Sequence, residues 1–166
     1  MKEYREFVSE KAFKKSTELI PCGGIEHAEV LVSSLFKGAK KIVQVFTGSL
    51  NELIYATDTV LASAKLFLSN KDSKLEILIQ EGNELSYSNR LIKLCEKHPD
   101  QCKIKYSSGY AAKLETHFMV ADNFAYRLKP YRKKPAAVGC FNDADSSNEL
   151  SSFFDDIFNN NSKPAI

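Results

Sequence analysis

Two stretches near the C-terminal end carry residue types that act on phosphate. In Glu115-Thr116-His117-Phe118-Met119-Val120-Ala121-Asp122 an imidazole stands between two carboxylates, and Phe141-Asn142-Asp143 adds an amide and a further carboxylate. An imidazole can attack as a nucleophile or carry a proton near neutral pH. The plainer reading of His117 is a strand histidine, partly buried and hydrogen-bonded. The sharper one gathers Glu115, His117, Asp122, Asn142 and Asp143 into a remodelled pocket at one end of a sheet, with His117 and Asn142 as its catalytic pair.

Between these stretches lie Arg127, Lys129, Arg132, Lys133 and Lys134, interleaved with Tyr126, Tyr131 and prolines. Such a run can hold phosphates while its tyrosines stack on bases. It reads equally as a solvated loop, partly neutralised by Asp143, Asp145 and Glu149.

Positioning these residues requires a sheet. Residues 1–20 read as a partly amphipathic helix, with Tyr4, Phe7, Val8 and Phe13 as contacts, and Pro21-Cys22-Gly23-Gly24 breaks the chain. Residues 27–37 have helical spacing and Gly38 caps them. Residues 41–47 and 75–80 are nearly continuous apolar runs, as central strands buried on both faces would be. A long helix is expected over residues 51–68, with Leu53 and Leu66 among its apolar positions, and a third over 86–97. Residues 103–106 alternate like an edge strand. The β-α-β-α-β order implies a mostly parallel mixed sheet flanked by helices on both faces. A C-terminal antiparallel hairpin (117–121 and 125–128), a strand at 136–141 and a closing helix at 148–158 follow. The expected division is an N-terminal helix and turn over 1–24, an α/β domain over 25–159 and a flexible tail over 160–166.

With these motifs and this element order, the chain resembles the phospholipase D-like superfamily. That family carries His-x-Lys-x4-Asp on a strand and its turn, then Gly-Ser-x-Asn on the next strand. Its histidine is the nucleophile, its lysine binds the phosphate and its asparagine supports it. Aligned on Asp122, the present chain has Glu115 for the histidine and His117 for the lysine. Aligned on His117, it has Met119 for the lysine and Phe124 for the aspartate. The motif is broken in both registers, and Asn142 is the match for the asparagine. The resemblance implies a catalytically degenerate domain that binds nucleic acid or another protein, as an assembly module of a bacterial multi-subunit system. The alternative it implies is a homodimeric phosphodiesterase or nuclease with His117 as nucleophile, since the family builds its site from two copies of the motif. A purely structural dimer module is a third.

Composition narrows the rest. The chain has 166 residues, 43% hydrophobic and 27% charged, with a net charge of +2. That is a globular balance in a length that buries a real core. No apolar stretch is long enough to span a bilayer, and residues 1–10 lack the pattern of a secretory signal. Cys22, Cys95, Cys102 and Cys140 form no Cys-x-x-Cys pair and read as reduced thiols of a cytoplasmic protein. No metal, cofactor or membrane partner is expected. His27 and His98 sit at helix ends and need no further role.

Overall fold

Runs of β-branched and aromatic residues set the central strands, and helices cover them because their apolar positions recur every three or four residues. The computed structural model describes residues 1–81 and 88–165. Its elements are α1 (Lys2–Phe13), β1 (Ile20–Cys22), α2 (Ile25–Gly38), β2 (Ile42–Thr47), α3 (Glu52–Tyr55), α4 (Asp58–Leu68), β3 (Lys74–Ile79), α5 (Arg90–Glu96), β4 (Cys102–Ser107), a 3-10 turn (Gly109–Lys113), β5 (His117–Ala121), β6 (Ala125–Lys129), β7 (Ala137–Cys140), α6 (Ala144–Asn160) and β8 (Ser162–Pro164).

The described strands form one mixed sheet in the order β1-β7-β6-β5-β2-β3-β4-β8. Its centre is buried on both faces, as its unbroken apolar runs require. Val43, Val45, Ile77 and Ile79 are 0% exposed on one face, and Phe46 and Leu78 are 0% exposed on the other. Buried residues of α1, α2, α4 and α5 form the larger core. Phe154, Ile157 and Phe158 of α6 close the smaller one against Phe46, Leu78 and Phe118.

The parallel part is narrower than the β-α-β-α-β order suggests. Only β2–β3 and β3–β4 run parallel; β2–β5, β5–β6, β6–β7, β1–β7 and β4–β8 are antiparallel. Helical crossovers keep β2, β3 and β4 parallel, whereas the chain after β4 returns to pair β5 antiparallel with β2 and then continues through short connections into β6 and β7. Pro21 and its neighbours belong to β1, and the polar tail contributes β8 against β4. Both edge strands are three residues long.

The long helix expected over 51–68 is two helices. Thr57 restarts the chain by accepting a hydrogen bond from the Val60 N–H, so Leu53 and Leu66 fall outside, at 64% and 62% exposure. Phe13 is 90% exposed instead of packed. Residues 86 and 87, expected in the third helix, lie outside the described residues.

Candidate phosphate-binding site

Strand alternation decides which side chains meet. Residues directly opposite on antiparallel strands share a face, as do residues two apart on one strand. Met119 pairs with Arg127 and His117 with Lys129, so all four project from one face. Because β5 runs antiparallel to β2, His117 lies at the C-terminal end of β2. There Thr47, Ser49, Tyr55, Glu81 and Arg132 join His117, Arg127 and Lys129 around a cavity of ≈ 220 Å³. Loops beyond the carboxyl ends of parallel strands are where open α/β sheets bind ligands.

Local sequence shapes this corner. A Cβ on Gly48 would lie 3.3 Å from His117 Cε1, so the turn after β2 needs glycine for the ring to sit against it. Leu50 adopts a left-handed φ of 56°. Its carbonyl is held by the buried Asn89 amide at 2.8 Å, which pins the loop in place.

His117 has a defined tautomer. The Gln80 amide donates to the carbonyls of Ala111 (3.0 Å) and Leu114 (2.8 Å), so its Oε1 must face the imidazole. His117 Nε2 lies 2.6 Å from that oxygen and therefore carries the proton and donates. Burial, then the charges of Lys129 and Arg127, push its pKa down to about 4. The unfolded chain thus takes up a proton near pH 6.5 that the folded chain refuses until about pH 4. Stability to denaturant is expected to fall as pH drops through this window, and His117→Gln should flatten that part of the profile. An unchanged pH profile in His117→Gln would contradict the assignment.

Arg127 is the deepest cation, at 5% exposure. The buried Tyr55 lines the same cavity, and burial raises the pKa of its hydroxyl. Arg127 Nε is buried and has no acceptor among the described residues. Burial and the neighbouring Arg127 charge lower the pKa of Lys129. Arg132 forms an ion pair with Glu81 across the rim. Among the described residues the cavity therefore presents three cations against one carboxylate, with His117 neutral at pH 7.

The other residues singled out in the sequence stand elsewhere. Asp122 lies at the opposite end of β5, where its carboxylate accepts the backbone N–H groups of Lys40, Lys41 and Ile42 at 2.8–3.0 Å. Asn142 is exposed beyond β7, whose Cys140 pairs with Tyr126, so it too is remote from His117. Asp143 caps α6, accepting from the Ser146 N–H, which lowers its pKa. Glu115 is exposed, outside the cavity lining. The pocket imagined from these five residues is not assembled, because β5 carries Asp122 to the end opposite His117, and Asn142 and Asp143 follow the end of β7 on Asp122's side. Lys133 and Lys134 are exposed, and Lys134 Nζ lies over the Tyr131 ring at 5.1 Å. Of the basic run, Arg127, Lys129 and Arg132 enter the cavity. Gln80 and Tyr55 escaped the sequence reading; a polar residue closing an apolar strand was the available signal for Gln80.

Among the described residues no group of three His, Cys, Asp or Glu side chains could hold a metal ion. No helix there is long and apolar enough to cross a membrane.

Residues 25–165 match the family model described as Domain of unknown function (DUF7931). No curated protein matches the chain in sequence. Among solved structures, TrmBL2, an archaeal chromatin protein described as showing a novel mode of DNA binding, superposes with TM-score 0.64 at 11% identity. That match covers 98% of this chain and 62% of TrmBL2, so the chain spans less than two thirds of that protein. NucT from Helicobacter pylori superposes with TM-score 0.60 at 11% identity, covering 89% of this chain and 97% of NucT. Nuc from Salmonella typhimurium, a phospholipase D family member, gives TM-score 0.56 at 16% identity, covering 90% of this chain and 97% of Nuc. At these identities the likeness concerns the fold.

Proposed function

The chain belongs to the DUF7931 family and has a phospholipase D-like fold, and from that premise we propose that it is a catalytically degenerate nucleic-acid-binding module. The observation that carries the reading is the buried Arg127, whose Nε lacks an acceptor in a cavity shared with Lys129 and Arg132. A buried cation is costly unless its charge is met, and a phosphate against the guanidinium would meet it. The DNA binding described for TrmBL2, which shares the fold, supports a nucleic-acid partner. Degeneracy is supported by the missing motif lysine and by the proton that ties His117 Nε2 to Gln80. The position of His117 inside the cationic cavity favours a second reading, a phosphodiesterase assembled from two copies.

Fluorescence anisotropy with labelled single-stranded oligonucleotides tests the binding reading. If three to five cations meet phosphates, log affinity should fall with log salt at a slope of about −2 to −3.5. Lys129→Gln with Arg132→Gln should weaken binding at least about tenfold and reduce the slope by about 1.4. No binding at low salt, or an unaltered slope in the double variant, would overturn it.

A further inference from the structure

We propose that the cavity takes the terminal phosphate of a nucleic-acid strand, a phosphomonoester, in preference to an internal phosphodiester. This rests on the reading of the cavity as a phosphate site and names which phosphate it selects.

Depth is the first argument. Arg127 sits in the interior of β6, opposite the fully buried Met119, and is 5% exposed. Arg132, by contrast, stands at the rim with 34% of its side chain exposed. A phosphate that reaches the Arg127 guanidinium must therefore descend past the rim. An internal phosphate carries a sugar on each side, and both would have to descend with it. A terminal phosphate descends with a single ester link behind it.

Size agrees. The cavity of ≈ 220 Å³ is smaller than the roughly 300–1,000 Å³ typical of pockets for drug-sized ligands. It suits one end group and not a nucleotide flanked by neighbours.

Charge agrees as well. Among the described lining residues Arg127, Lys129, Arg132 and Glu81 sum to a net charge of +2, with His117 neutral above about pH 4. A monoester carries about −1.5 to −2 at pH 7, and the internal diester of a strand carries only one negative charge. Tyr55 and Ser49, which carry hydroxyls, also line the cavity.

The test compares one oligonucleotide sequence in four forms by anisotropy: 5′-phosphorylated, 3′-phosphorylated, without terminal phosphate, and circular. One phosphorylated linear form should bind about ten- to a hundredfold tighter than the unphosphorylated form and the circle. The two phosphorylated forms tell which end is read. Arg127→Met should remove the preference while leaving the weaker, salt-sensitive binding, and Arg127→Lys, which keeps the charge, should restore part of it. Comparison among the four forms with the parent protein decides the matter even where a variant folds poorly. Equal binding of all four forms would overturn end selection and leave the phosphate reading standing. Competition by a 5′-mononucleotide as strong as by the phosphorylated strand would also overturn it, assigning the cavity to free nucleotides. Failure of every form to bind would remove both readings.

Discussion

Asp122→Ala is expected to destabilise the protein by about 2–3 kcal/mol, which for a chain of this size lowers Tm by roughly 5–10 °C. The carboxylate accepts three successive backbone N–H groups where the chain enters β2. Bonds to a charged acceptor are worth more than neutral ones, and alanine would strand those donors at the edge of the sheet. Asp122 also holds a φ of 53°, a left-handed value that aspartate tolerates better than alanine. Asp122→Gly separates the two effects, since it keeps the turn and loses the acceptor. Urea denaturation of the three proteins checks this, with alanine least stable and glycine between it and the parent. An alanine variant as stable as the parent would contradict the role. The aspartate of the motif is thus explained by holding β5 to the start of β2, far from the cavity.

The second large effect is a lack of chemistry. Phosphodiester cleavage by a histidine needs a ring nitrogen with a free lone pair aimed at phosphorus, and preorganised donors for the charge that develops. Here Nε2 is held protonated against Gln80, so the only free lone pair of the neutral ring is on Nδ1, and burial keeps the ring a weak base. Arg127 and Lys129 bring positive charge, yet the strand position of the motif lysine in this register is taken by buried Met119 or by His117 itself. Losing one preorganised donor typically costs on the order of 10²–10³ in rate. Turnover is therefore expected to be undetectable in the parent and unchanged in His117→Ala.

What the sequence disclosed followed from residue periodicity. The apolar runs at Val43, Val45, Ile77 and Ile79 could only be central strands, and the hairpin around Asp122 and Asn123 was legible from two strands meeting at a polar turn. The break between α3 and α4 was hidden because the hydroxyl of Thr57 acts only once the chain has turned, and the edge strands because three residues carry no period. The site was partly legible. Arg127, Lys129 and Arg132 were visible as a basic run, but alternation and the depth of β6 decide which cations face inward, and Lys133 and Lys134 do not. Asp122 and Asn142 drew attention by type. The spacing of Asp122, five residues along an extended strand, already sets it apart from His117, whereas the remoteness of Asn142 depends on strand direction, which no spacing along the chain reveals.

The central claim is that the cavity binds phosphate of a nucleic acid and leaves it intact. Its most direct test is a single-turnover experiment, with protein in excess over a doubly labelled oligonucleotide, in which anisotropy and strand length are read from the same sample. The account predicts a bound, full-length strand over hours, released by salt and bound at least about tenfold more weakly by the Lys129→Gln, Arg132→Gln variant. Cleavage of the bound strand by the parent that disappears in His117→Ala would contradict it and establish the chain as a phosphodiesterase.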